Sequence, residues 1–391
     1  MKIRFLLSLL FTTFCAYTQT PSTYPYFNRI HIASDSTHPS FYHFYAGGQR
    51  ISEDTILLLG HQYSLINNQD FQRTLEFIDV NTGDLIKKHV EPSIIALQNP
   101  PFSSTIRGTH FYNLGILPNG VRTLRKYLNI YQNTMTDYLI DAYPSNNTPD
   151  FYNGFSILND GNFLFYGSSP FNKALLSVCD TTGVIVNSTN LEQLNLFSNP
   201  KEVFLAKQLF DNSILIELGS VGINYFSGKV ILLNENYTLK KQLLSLNKSM
   251  SSNFIQHSDS SIYLFGFQDT TNSSNNAHFI SYIRKYDQEG DLIWKKYYPI
   301  EQIQLQDQTR PLASKFFCAQ EYKSGNILFI GNDIFKGADG DYQQMDGEQS
   351  LQTRLLCITP DGDIIWERSF HTSAENSSLA LGFIPLVNDD V

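Results

Sequence analysis

Residues 323–331 read Lys-Ser-Gly-Asn-Ile-Leu-Phe-Ile-Gly (KSGNILFIG), and the fold is decided there. A turn ends at Gly325, an apolar run follows, and Gly331 closes it. A strand with one wet face alternates apolar and polar residues. An unbroken run belongs to a strand buried on both faces. The pattern recurs at Asp54–Gly60 (DTILLLG), Gly161–Gly167 (GNFLFYG), Asn212–Gly219 (NSILIELG) and Ser260–Gly266 (SSIYLFG). Recurrence at such intervals marks a solenoid or a propeller.

Around 323–331 a four-stranded unit can be traced. Phe316 to Tyr322 is the first strand, Asn326 to Ile330 the second, Arg354 to Thr359 the third and Ile364 to Phe370 the fourth. The last two are joined at Pro360-Asp361-Gly362, and Asp-Gly between apolar runs is a strong hairpin signal. This second hairpin recurs as FIDVNTGDLIKKHV (77–90), VCDTTGVIVNS (178–188), RKYDQEGDLIWKKYY (284–298) and CITPDGDIIWERSF (357–370). LLNENYTLKKQLL (232–244) is a version without the glycine. Trp294 and Trp366 hold equivalent places past the turn and are expected to pack one blade on the next. The fourth strands carry Lys87, Lys88, Lys240, Lys241, Lys295 and Lys296. Charges on an outer edge deter pairing with other chains, so no binding role is assigned to them.

The expected fold is therefore all-β, a β-propeller of four-stranded blades, with six units plus the start of a seventh at 381–390. The second unit is irregular: FYNLGILPNG (111–120) aligns with FYNGFSILNDG (151–161), which puts its turn at 120 with no glycine at the usual distance. Phe27 to Ala33 lies where a blade-closing strand would sit. The domain reading is 1–18 signal peptide, 19–40 N-terminal lead, and 41–391 propeller, C-terminally incomplete.

The 391 residues include 42% hydrophobic and 14% aromatic, which excludes a disordered chain. Lys and Arg number 28 against 37 Asp and Glu, with no basic cluster, which argues against a nucleic-acid partner. Lys2 and Arg4 followed by an apolar run to Cys15 read as an export signal, so the protein is expected to be secreted or at the cell surface, with the periplasm as the alternative. Past that run no stretch is long and apolar enough for a transmembrane segment. Cys179, Cys318 and Cys357 remain. Cys318 and Cys357 fall two strand spacings apart, about 9.5 Å, too far for a disulfide, and three free, mostly buried thiols are expected.

These repeats resemble the PQQ-like β-propeller repeats of exported bacterial proteins. The likeness rests on the Asp-to-Gly hairpins ending in Trp294 and Trp366 and on the glycine-to-glycine apolar strands. In particular it resembles surface proteins sent out by type IX secretion, which usually carry a C-terminal sorting domain. What the resemblance implies is architecture, hardly activity. Quinoproteins of that fold hold their cofactor with adjacent cysteines, and no such pair occurs here, so no cofactor is expected.

Motifs for a nucleophile elbow, a zincin or a phosphate-binding loop are not found in the sequence. The best candidate site is the acidic stretch 332–348, with Asp333, Asp339, Asp341, Asp346 and Glu348. Carboxylates on a turn-rich loop can coordinate calcium, so Asp339, Asp341 and Asp346 are the candidate metal ligands. The functional expectation is an exported binding or scaffolding module without a catalytic motif, its protein or glycan partner at a propeller face. The alternative is an extracellular polysaccharide-active hydrolase or lyase with a site assembled from several blade loops.

Overall fold

The computed structural model describes residues 41–64, 71–80, 82–91, 104–107, 110–116, 122–129, 134–139, 151–168, 173–194, 202–221, 226–247, 249–269, 279–298, 312–335 and 351–370. Their strands form six four-stranded sheets, each an antiparallel meander in chain order. Sheet 1 is β1 (Phe41–Arg50), β2 (Thr55–Ser64), β3 (Phe71–Asp79) and β4 (Leu85–Glu91). Sheet 2 is β5 (Ser104–Arg107), β6 (His110–Ile116), β7 (Arg122–Asn129) and β8 (Thr134–Leu139). Sheet 3 is β9 (Phe151–Ile157), β10 (Phe163–Ser168), β11 (Ala174–Cys179) and β12 (Ile185–Asn190). Sheet 4 is β13 (Glu202–Gln208), β14 (Ile214–Val221), β15 (Phe226–Leu233) and β16 (Leu239–Asn247). Sheet 5 is β17 (Ser249–Gln256), β18 (Ile262–Asp269), β19 (Phe279–Tyr286) and β20 (Leu292–Tyr298). Sheet 6 is β21 (Leu312–Tyr322), β22 (Asn326–Phe335), β23 (Leu351–Ile358) and β24 (Ile364–Phe370).

The packing makes this a β-propeller. On β10, Leu164 and Tyr166 belong to the core shared with sheet 4, while Phe163 and Phe165 face a core shared with sheet 2. On β18, Ile262 and Leu264 face sheet 4, and Tyr263 and Phe265 face sheet 6. Neighbouring residues of one strand thus fill two different cores, as the continuous apolar runs require. Each such side chain contributes roughly 1.5–3 kcal/mol by leaving water.

Packing contacts join five sheets, 2 to 6, blade on blade in sequence order. This corrects the expected six units plus the start of a seventh: five blades form the packed succession, with sheet 1 before them in the chain. Residues 381–391, Phe27 to Ala33 and the 1–18 signal stretch lie outside the described residues. Sheet 2 also corrects its alignment. His110–Ile116 is the second strand and pairs with β5, so the first turn falls between Arg107 and His110 and Gly115 sits at the expected distance after it. The likeness of FYN in 111–113 to 151–153 is local and places the two segments at different strand positions.

The innermost strand is bulged in five sheets, where the register shifts between Tyr45 and Gly47, opposite Tyr166 and Gly167, between Val203 and Leu205, between Ser251 and Asn253, and between Phe316 and Cys318. Such bulges bend and twist a strand. Four of the recurring glycines (Gly60, Gly167, Gly266 and Gly331) sit at the shift. Gly219 lies one residue beyond, and Leu218 takes its place at the shift. A Cβ on Gly219 would stand 2.2 Å from Phe204, the bulge residue, so that ring requires the glycine.

Candidate functional site

In a meander, the first and third connections of each sheet emerge at the same end. This turn face is where the described polar groups gather. The first turns close alike: Leu158, Leu209 and His257 each donate a backbone N–H to the carbonyl four residues on, at 2.8–2.9 Å. The third residue of each turn is an aspartate. Asp160 accepts from Asn162, Asp211 from Ser213 and Asp259 from Ser261.

Each turn is also tied to the next blade. The Asn159 N–H donates to Gln208 Oε1 at 2.6 Å. The Phe210 N–H donates to Gln256 Oε1 at 2.7 Å. The Ser258 N–H and hydroxyl donate to the two oxygens of Glu321 at 2.9 and 2.7 Å. Gln208 and Gln256 end the first strand of their sheets and Glu321 stands one residue before the end of its own, so one latch repeats across four sheets. Nothing in the sequence alone marked these three residues.

The densest cluster joins sheets 5 and 6. His257 is buried; its Nε2 lies 2.8 Å from the Gly325 carbonyl and its Nδ1 2.9 Å from Asp259 Oδ1. Burial alone would raise the Asp259 pKa, but hydrogen bonds from Ser261 and the nearby His257 hold it well below the usual carboxylate range. Lys285 reaches Asp259 at 3.4 Å and lies over the Tyr263 ring. The Pro360 carbonyl in the outer turn of sheet 6 accepts from Tyr263, Lys285 and Trp294, at 3.1, 3.3 and 3.2 Å. Trp294 thus does pack its blade against the next, as expected.

The fourth-strand lysines do more than guard an edge. Lys240 pairs with Asp211 and with Glu289 of the next sheet. Lys241 pairs with Asp291, and Lys296 with Asp363 at 2.7 Å, again one sheet on. Lys88 holds the buried Glu76 within sheet 1 at 3.1 Å.

On β13, the first strand of its sheet, Lys207 is exposed, and desolvation lowers its pKa. It interacts electrostatically with Cys318 on β21, two sheets away. Ser156, Ile255 and Gln320 hold the places equivalent to Lys207, two residues before the turn.

Cys179, Cys318 and Cys357 are free thiols, the first and last buried, Cys318 half-buried. Cys318 lies opposite Ile330 and Cys357 opposite Leu328, on the first and third strands as read. The candidate metal ligands Asp339, Asp341 and Asp346 lie outside the described residues. Asp333, read as part of that loop, instead falls within β22, which runs to Phe335 because Ile334 still pairs with Leu351. No group of three or more metal-ligating side chains occurs among the described residues.

No family model and no curated protein matches this chain. Among solved structures it is similar to a hydrazine synthase chain from Kuenenia stuttgartiensis, with 12% identity, TM-score 0.48, and coverage of 89% of this chain and 99% of that one. It is also similar to the β-propeller domain of the Trilobed protease from Pyrococcus furiosus, with 10% identity, TM-score 0.42, and coverage of 86% and 99%. The BP39L lectin from Burkholderia pseudomallei aligns with 8% identity, TM-score 0.44, over 81% of each chain. Enzymes and a lectin stand side by side at similarly low identity, so these likenesses assign no activity.

Proposed function

We propose that the protein is an exported binding or scaffolding propeller, secreted or surface-held, that takes a protein or glycan at a propeller face. One observation carries the reading. The first-turn carboxylates Asp160, Asp211 and Asp259 and the strand residue Glu321 are occupied in holding turns and blades together. A glycoside hydrolase needs two carboxyl groups flanking an open cleft. Lys207 and Gln320 instead give the axial mouth a cation and an amide, which suit recognition.

The test is a glycan and protein array probed with the full chain and with Lys207→Ala and Gln320→Ala variants. Saturable binding weakened by either substitution is expected. Turnover of a polysaccharide panel without such binding would favour the alternative, an extracellular hydrolase or lyase. Calcium at Asp339, Asp341 and Asp346 belongs to the same proposal; a rise in melting temperature with calcium tests it.

A further inference from the structure

His257 in the first turn of sheet 5 is buried, and its two ring nitrogens face partners of different kinds. Nε2 lies 2.8 Å from the Gly325 carbonyl of sheet 6, which can only accept, so the hydrogen of a neutral ring belongs on Nε2. Nδ1 faces two groups with opposite demands. The Asp259 N–H, 3.2 Å away, needs a lone pair there. Asp259 Oδ1, 2.9 Å away, needs a proton there. A neutral ring meets only the first demand and sets its Nδ1 lone pair against the carboxylate. A ring with two hydrogens donates to Oδ1 instead, at a separation usual for a charge-assisted bond, about 2.7–2.9 Å. The exchange requires no movement of the ring.

The surroundings decide what a second proton does. Glu321 of β21 places Oε1 3.5 Å from Nε2, and the same carboxylate takes the N–H and hydroxyl of Ser258. Lys285 of β19 lies 3.4 Å from the other oxygen of Asp259, and Tyr263 of β18 meets the imidazole edge-on at 5.9 Å between centroids. These are the titratable groups that face the ring among the described residues. A cation on His257 therefore lies between two carboxylates that belong to different sheets, with one ammonium beyond the nearer of them. We infer that His257 is a proton-operated clasp between sheets 5 and 6. A second ring hydrogen turns the contact with Asp259 from repulsion into a bond and adds attraction to Glu321 across the seam. Acid tightens the seam at the turn face, and alkali loosens it. The clasp is independent of the binding role proposed above.

The test is long-range proton–nitrogen correlation of the full chain with isotope-labelled histidine rings, followed from about pH 8 to about pH 5, where histidines as a class change charge. The His257 signals are those lost in His257→Gln. At the alkaline end the hydrogen is expected on Nε2, and on acidification Nδ1 gains one while Nε2 keeps its own. Asp259→Asn should move that step to more acid solution. Hydrogen-exchange protection of the Ser258 N–H reads the seam itself. It should rise several-fold on acidification in the wild type and stay level in His257→Gln, whose amide can reach the Gly325 carbonyl but does not titrate. Ser258 protection in the wild type is read without either variant, so failure of His257→Gln to fold leaves the test standing. An alkaline ring with its hydrogen on Nδ1, a ring that keeps one protonation state throughout, a step unmoved by Asp259→Asn, or equal Ser258 protection at both ends of the range overturns the inference.

Discussion

Glu321, the last-but-one residue of β21, takes both the backbone N–H and the hydroxyl of Ser258, which belongs to the turn of the preceding sheet. Gln256 and Gln208 do the same one and two sheets earlier with a single neutral acceptor. Hydrogen bonds to a charged group contribute more than neutral ones, about 1.5–3 kcal/mol when shielded. Glu321 is partly exposed, so Glu321→Ala is expected to cost about 1 kcal/mol in urea unfolding. Glu321→Gln, which converts the latch to its form in the other sheets, should lose less than half of that. Equal losses would mean that charge, not latch geometry, matters at this position.

The packing of Trp294 leads to a second expectation. A Cβ on Gly362 would meet that indole at 2.9 Å, and Gly362 sits at φ +79°, where a side chain costs about 1–2 kcal/mol. Gly362→Ala is therefore expected to destabilise by more than that backbone cost. Tyr237 holds the equivalent turn position in sheet 4 at φ 64° and is itself a side-chain residue. Tyr237→Gly should relieve the strain but remove the ring's half-buried packing, a near-neutral change. Thermal melts of the two variants check both. If Gly362→Ala melts like wild type, the indole is not held where it is described.

What the sequence could show followed from the range over which each signal acts. Leu164 and Tyr166, or Ile262 and Leu264, announce two-sided burial through their own neighbours, and Asp361-Gly362 announces its turn within two residues. Gly219 follows its turn one residue later than the other recurring glycines, and the register shift at Phe204 on the paired strand that accompanies this is not legible in its own segment. The start of sheet 2 was misread because the three residues 111–113 resemble 151–153 while belonging to a different strand. Gln208, Gln256 and Glu321 look like any polar strand end until the turn of the adjoining sheet is placed beside them. The lysines were legible as edge charges but not as partners of Asp291 and Asp363, since those pairings cross between sheets.

Asp259 sets a pH dependence. Burial opposes its ionisation, but hydrogen bonds from Ser261 and the nearby His257 depress its pKa below the ordinary 3.8. A carboxyl with a depressed folded pKa binds fewer protons folded than unfolded. Its contribution is complete above the unfolded value and declines as pH falls from about 4 toward the folded one. The stability difference between wild type and Asp259→Asn should therefore shrink as pH falls below about 4. A difference that grows on acidification would reverse the assignment.

The thiols give a chemical test of the blade packing. Burial pushes the Cys179 pKa up to about 12 and that of Cys357 up to about 11, so both are protonated at neutral pH and poorly reactive. Cys318 is half-buried and lies within electrostatic range of the Lys207 amine. Access therefore separates it from the two buried thiols. In a Cys15→Ser background, a thiol reagent should label Cys318 first in the folded protein, with Cys179 and Cys357 reacting only on unfolding. Labelling of Cys179 or Cys357 before Cys318 in the folded protein would contradict the burial assigned to them.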